Sequence, residues 1–311
     1  MSQLINPALI KGYSNPNLLI NAEGEIDQRI GGSYTADGYT FDRWILNQGG
    51  QTSAFSRMVG ILPSGWNNVR PFAFAAASVI GSNRNMEQRI ENALRFKGKT
   101  VTFSCLVQGV AGQEIQAQVQ VRDSIYTDVL STSPVTIGVC TGGIDYFTYT
   151  FEIPEFDEQG FDFTSTNNHH LSLFIFPQQT HLNVTYIGSP KLEFGDTATE
   201  TTQMGEGETL QRCKRFYQRI RFESNINTVY LLSAPSITFP VKLRETPTVT
   251  LTNVNNELPG YFTQYDQGSS IIANRVMTVT YLGATFVSFG GGGNLTIDGY
   301  LIGFVHLDAE L

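Results

Sequence analysis

The chain has 311 residues, longer than one hydrophobic core usually serves, since single cores stop growing near ~250 to 300 residues. It is 41% hydrophobic, with 21 Phe, 13 Tyr and 30 Gly but only 15% charged residues, the profile of a folded, weakly charged, β-rich protein. The formal charge of -8 provides no counterion-release term toward phosphate backbones, which argues against nucleic acid as a partner. No run approaches the ~18 apolar residues of a membrane helix, so no membrane insertion is expected.

Residues 1–16 carry Pro7 and Pro16 and show no amphipathic period, so they are expected to form an arm or linker. From Leu18 onward short apolar runs recur between turn signals: 18–20, 39–46, 72–80, 101–107, 115–121, 147–153, 171–176 and 182–187. Runs of this length and spacing predict an antiparallel sandwich. One stretch, "NRNMEQRIENALRFKGKT", places Met86, Ile90, Ala93 and Leu94 at helical spacing, with Asn83 or Asn85 to cap it and Gly98 to end it, and predicts a short helix near 85–97. A second, "GETLQRCKRFYQRI", gathers Leu210, Cys213, Phe216 and Tyr217 on one helical face and predicts a helix over 207–219 where one domain ends.

Beyond it the alternation of Ile237, Phe239, Val241 and Leu243 reads as a strand, and Pro240 within it as an edge strand. Runs at 249–251, 276–282, 285–289 and 295–307 follow, with "GGGGN" at 290–294 expected to join the last two as a hairpin. The reading divides the chain into an arm (1–16), a first β domain (17–206), a linking helix (207–220) and a smaller β domain (221–311).

Cys105, Cys140 and Cys213 are odd in number and far apart, which suits buried thiols rather than disulfides or a metal knuckle. His169, His170 and His181 lie close in sequence. A hairpin between 171–176 and 181–187 would hold His170 and His181 ~17 to 20 Å apart, beyond any shared first shell. No nucleophile elbow is present, and "RFKGKT" has Ala93 where a phosphate loop needs its first glycine. The acids Glu152, Glu155, Asp157, Glu158 and Asp162 have no evident facing partner of the kind glycoside hydrolysis requires. The expectation is a protein without catalysis.

A sugar ring offers an apolar face and a rim of hydroxyls, so its sites combine an aromatic face with amides or charges. Trp66 in "LPSGWNNVRP", with Asn67 and Arg70, matches that demand, as does "LPGYFTQYDQG" with Tyr261, Gln264 and Tyr265. The competing reading tucks Trp66 under its own loop. Trp44, inside "FDRWIL", reads as core.

"NLLINAEGEIDQRIGGSYTADGYTFDRWIL" (17–46), "ENALRFKGKTVTFSCLVQG" (91–109) and "PKLEFGDTATE" (190–200), in that order, resemble the markers of a phage tail-fibre or receptor-binding module with a carbohydrate-binding-like jelly-roll. "GETLQRCKRFYQR", "FPVKLRETPTVTL" and "GYLIGFVHLDAEL" are similar to the stretches and tip domain that follow it. Two departures stand out: Ala22-Glu23-Gly24-Glu25 replaces a usual Gly-Asp/Asn-Phe turn, and the Pro-Phe that commonly follows the Ala-Thr is missing. The resemblance implies an all-β jelly-roll sandwich and a smaller β-sandwich tip. It also implies a virion location, a homotrimer, contacts with other virion proteins, and a host-surface glycan or protein as receptor. Related jelly-rolls hold a structural calcium, which would nominate Glu23, Glu25 and Glu193 as ligands. Alternatives are a virion decoration or tail-assembly protein without a glycan ligand and, less favoured, a glycan-degrading enzyme. "NLLINAEGEIDQRI" reads as the first strand and turn, with Asp27, Gln28 and Arg29 holding the turn.

Overall fold

The structure, a computed structural model, describes residues 15–29, 33–48, 53–57, 65–66, 71–76, 84–164, 169–178, 184–201, 204–226, 236–244, 247–253, 261–266, 271–282, 286–291 and 299–310. The chain is all-β and divides into two compact units, Met1–Thr209 and Leu210–Leu311. The boundary falls within the helix α1 (Glu206–Cys213).

The first unit carries β1 (Ser33–Tyr34), β2 (Gly38–Tyr39), β3 (Trp44–Asn47), β4 (Ser53–Arg57), β5 (Phe72–Ala76), β6 (Asn85–Glu91), β7 (Thr100–Gln108), β8 (Glu114–Arg122), β9 (Asp128–Ser131), β10 (Val135–Val139), β11 (Ile144–Glu152), β12 (His170–Pro177) and β13 (Val184–Phe194). They form two antiparallel sheets. One is six-stranded in the order β1-β4-β5-β13-β7-β11; the other is seven-stranded, β10-β8-β12-β6-β3-β2 with β9 beside β8. From β5 to β8 and again from β10 to β13 successive strands alternate between the two sheets, as in a jelly-roll. Alternate residues of each strand, such as Val101, Phe103, Cys105 and Val107 of β7 and Leu171, Leu173 and Ile175 of β12, meet in one buried core with Trp44, Phe55, Phe72 and Phe74.

Three sequence expectations are corrected in this unit. Residues 85–91 are strand β6, and the helix shrinks to a 3-10 turn, Ala93–Phe96. Met86 and Ile90 are four apart, a spacing that suits one helical face and one strand face alike. The residue between them that settles the period is Gln88, buried and polar: it accepts from Ile20 N at 2.7 Å and donates to Ile20 O at 2.9 Å. Strands β12 and β13 do not form a hairpin. They lie in different sheets, β12 between β6 and β8 and β13 between β5 and β7. Residues 17–29 form no strand. They are pinned by side chains instead: Asn17 Nδ2 donates to Pro190 O, and Asn21 Nδ2 to Ile26 O and Asp42 O. Asp42 in turn accepts from Gln28 N at 3.1 Å and pairs with Arg29 at 3.5 Å.

The second unit contains β14 (Tyr217–Ile226), β15 (Ser236–Thr238), β16 (Thr248–Asn253), β17 (Tyr261–Asp266), β18 (Ile271–Leu282), β19 (Phe286–Gly291) and β20 (Gly299–Asp308). The order is β14-β20-β17-β18-β19-β15, with β16 also on β20. The first half of β18 pairs with β17 and the second with β19, the device by which one strand passes between layers. β15 sits at the end of the order, but the strand expected through Leu243 is corrected: it ends at Thr238, and Pro240, Val241 and Leu243 lie outside it, since proline cannot donate to a ladder. Residues 292–298, where the expected hairpin would turn, lie outside the described residues; among the described residues β19 pairs with β18 and β15, whereas β20 pairs with β14, β16 and β17. The predicted helix ends at Cys213, and Tyr217 already belongs to β14.

Candidate functional site

The segment "EIQAQVQVR" builds the most distinctive surface of the first unit. In β8, Ile115, Ala117, Val119 and Val121 enter the core, so Gln116, Gln118, Gln120 and Arg122 share the opposite face. Register carries that face across the sheet. Gln120 stands opposite Ser172, which stands opposite Arg89; Gln118 lies opposite Phe174 and Phe174 opposite Glu87; Arg122 lies opposite His170. The result is a face on which Gln116, Gln120, Arg122 and Arg89 are partly exposed, while Gln118, Glu87, Ser172, His170 and the rings of Phe174 and Phe176, stacked at 6.2 Å, are buried.

The amides are held in place. Arg122 Nη2 donates to Gln120 Oε1 at 3.0 Å, Gln120 Nε2 to Ser131 Oγ at 3.0 Å, and Gln178 Nε2 to Gln116 Oε1 at 3.0 Å. Charge on the face is balanced locally, Arg122 pairing with Asp128 at 2.8 Å and Arg89 with Glu87 at 2.7 Å. Burial by itself would raise the Glu87 pKa. The Arg89 charge and hydrogen bonds from Arg89, Ser172 and Asn47 outweigh it and hold the carboxyl below its ordinary value. A carboxylate depressed by folding contributes stability above its unfolded pKa and loses it as pH falls through the folded one. Replacing Glu87 with Gln is expected to cost about 2 kcal/mol at neutral pH. In denaturant titrations that gap from wild type should close as pH drops below about 4; a gap that stays constant would remove Glu87 as its source.

At the Arg122 end of the face, a tight turn presents Ile125 and Tyr126, 68% and 48% exposed. Tyr126 has φ 67, a left-handed conformation that costs a bulky residue free energy. Asp123 enforces it: its carboxylate accepts from Ile125 N at 3.1 Å, Thr127 N at 2.7 Å and Asp162 N at 3.1 Å. The ring stands edge-on to His170, centroids 5.7 Å apart, with the Arg89 guanidinium 5.4 Å from its centre. An exposed aromatic, a run of amides and an arginine within one surface are the groups a hydroxylated ring needs: an apolar face to lie on and partners that both donate and accept.

The residues singled out from sequence fall elsewhere. Trp66 is 3% exposed, and its Nε1 donates to Gln108 Oε1 at 2.6 Å; a ring so enclosed has no open face for stacking, so the competing reading of a packed tryptophan describes it. Asn67 and Arg70 lie outside the described residues. Tyr261, Gln264 and Tyr265 sit on strand β17 between β18 and β20, not on a loop.

Glu23 and Glu25 line one cavity of about 60 Å³ with Asn17, Asn21 and Ser189, and Ser189 Oγ donates to Glu23 at 3.1 Å. Glu193 does not join them. It is buried against Lys191, Nζ 3.3 Å away, and accepts from Thr199 N and Oγ1 at 2.8 and 2.6 Å. Among the described residues no three His, Cys, Asp or Glu converge as a metal would need, so the calcium set implied by resemblance does not fit.

His169 is buried, its Nδ1 accepting from Ala93 N at 2.9 Å, and burial lowers its pKa despite the opposing Asp162; it is a neutral packing group. His181 lies outside the described residues. All three cysteines are buried, and burial raises the thiol pKa of Cys105 far up and that of Cys140, helped by Asp145, to about 11, so both are held as thiols. In the acidic stretch Glu158 pairs with Lys97 at 2.8 Å, while Asp157 and Asp162 accept from the backbone N–H two residues on. The sequence reading takes 115–121 only as an apolar run and makes nothing of the glutamines between its core residues. The signal was the uninterrupted series Gln116, Gln118, Gln120, Arg122.

No protein-family model and no curated protein matches the chain. Solved structures similar to it include the enzymatically active domain of tailspike protein 4 of bacteriophage CBA120, at 10% identity and TM-score 0.34, over 58% of this chain and 21% of that one. The CBM22-1 xylan-binding domain of a Paenibacillus barcinonensis protein is similar at 10% identity and TM-score 0.35, over 60% and 98%. The tandem CBM22-1-CBM22-2 domain of the same protein aligns over 96% and 98%, at 9% identity and TM-score 0.36. Likeness of this size leaves function to be argued from the residues themselves.

Proposed function

We propose that the first unit binds a glycan, without catalysis, on the amide-lined face of its seven-stranded sheet, and that the chain is a receptor-binding appendage of a phage virion. The observation that carries the glycan reading is Tyr126, held left-handed and 48% exposed by the Asp123 carboxylate at the Arg122 end of a strand face on which Gln116, Gln120 and Arg122 are partly exposed. Strain maintained at an exposed aromatic suits a surface kept ready for a ligand. Balanced ion pairs and amides suit a hydroxyl-rich, uncharged ligand better than an ionic one. The virion role, the homotrimer and the contacts with other virion proteins rest on the ordered sequence motifs described above.

The test uses the full chain on a glycan array and on host cells, with light scattering for its mass. Tyr126→Asn keeps a residue that tolerates positive φ and removes the ring. It is expected to weaken binding tenfold or more, the effect of losing a central aromatic anchor, with the melting temperature preserved. Binding that is unchanged in Tyr126→Asn, or absent from every glycan and cell, overturns the reading.

A further inference from the structure

We propose a second binding site in the first unit, a depression around Arg95 and Lys99 that takes a sugar carrying a carboxylate. It lies where β7 begins and β13 ends, remote in topology from the β8 face, because the 3-10 turn Ala93–Phe96 delivers Arg95 and the following turn delivers Lys99 to the start of the other sheet. The depression has a volume of about 660 Å³ and is lined by Arg95, Gly98, Lys99, Thr100, Phe194 and Gly195, a size suited to a small ligand.

Its chemistry is cationic and aromatic. The Arg95 guanidinium lies 4.8 Å from the Phe96 ring centre and 5.9 Å from that of Phe194, and the two rings stack at 5.2 Å. An arginine spread over rings keeps its edge donors for a planar anion. Among the described residues neither Arg95 nor Lys99 is in an ion pair, whereas Lys97 between them is paired with Glu158. Two acids border the site: Glu91 acts on Arg95 through space, and the Glu155 carboxylate packs against Gly98. They flank the cations without engaging either in an ion pair.

The backbone forms the rest of the wall. Gly195 has φ +110, and a Cβ there would meet only Asn15 Nδ2, at 4.0 Å. Its N–H is already used, donating to Thr100 O at 3.0 Å, so recognition falls to the side chains. The half-buried Phe194 ring selects a sugar over bare phosphate, since it offers a surface to C–H groups that phosphate lacks. The carboxylate is matched by the Arg95 fork and the Lys99 ammonium. With a net charge of -8 the whole chain repels anions at long range, so binding here depends on these two local cations.

The test is calorimetric titration of the full chain with trigalacturonate, its methyl ester and inorganic phosphate. Trigalacturonate is expected to bind at least tenfold tighter than the ester or phosphate, and Arg95→Gln and Lys99→Gln are each expected to weaken it about tenfold. Tyr126→Asn should leave it unchanged, so this site stands or falls separately from the β8 face. Equal affinity for acid and ester, no binding of trigalacturonate, or full binding by the Arg95→Gln/Lys99→Gln double variant overturns the proposal. Tighter binding of phosphate than of trigalacturonate also overturns it, in favour of a simple anion site.

Discussion

Replacing Lys191 with Met is expected to destabilise the full chain by about 3 to 5 kcal/mol, because it leaves the Glu193 carboxylate buried without its cation. Both side chains are enclosed, Nζ 3.3 Å from Oε1. Lys191 also donates to Thr199 Oγ1 at 2.7 Å and to the carbonyls of Thr199 and Glu200 at 3.3 and 3.0 Å. The Thr199 hydroxyl links the acid, the lysine and the backbone N–H of Asn15, so one substitution releases the segment after β13 and the start of the described chain together. At ~2 to 4 °C per kcal/mol for a unit of this size, the melting temperature should fall by roughly 10 °C. Lys191→Met/Glu193→Gln should recover most of the loss, since removing both charges leaves no uncompensated charge. Millimolar calcium should leave wild type unmoved. A calcium-dependent rise in melting temperature would mean that the acids are completed by metal rather than lysine.

Truncating Trp44 to Ala is expected to cost about 3 to 5 kcal/mol. The ring is fully enclosed beside Phe72, centroids 5.3 Å apart, within the aromatic group that includes Phe41 and Phe55. Its Nε1 donates to Asn21 O at 2.8 Å, which ties the irregular 17–29 segment to β3. Denaturant unfolding of the full chain measures the cost. Amide exchange over residues 17–26 should accelerate in Trp44→Ala more than elsewhere in the unit, because the lost hydrogen bond is local to it. Trp44→Phe, which refills most of the volume, separates the two contributions. A Trp44→Ala cost under about 1 kcal/mol would place this ring outside the load of the core.

The function-bearing residues divide in the same way as the fold. Alternation in "TVTFSCLVQ" and "EIQAQVQVR" is a property of neighbours two apart, so both strands and the buried placement of Cys105 were legible without coordinates. The glutamine field was equally legible as a pattern; its meaning required knowing that β12 and β6 continue it with Ser172, Phe174, Glu87 and Arg89.

Where sequence-close residues were assumed to be partners, the reading failed. The runs at 171–176 and 182–187 belong to different sheets, and a strand's hydrophobic pattern does not record which neighbour it pairs with. In 85–91 the core-facing Gln88, satisfied by the backbone of Ile20 sixty-eight residues away, concealed a period of two.

Local sequence therefore determined the all-β class, most of the strands and the buried thiols, because these follow from side-chain periodicity. Only the tertiary structure decided the sheet to which each strand belongs, the burial of Trp66 against Gln108, the pairing of Glu193 with Lys191, the left-handed Tyr126 and the meeting of Arg95 with Phe194. Most of these depend on contacts between residues tens of positions apart; the others depend on backbone geometry, which the local pattern of apolar and polar residues does not encode.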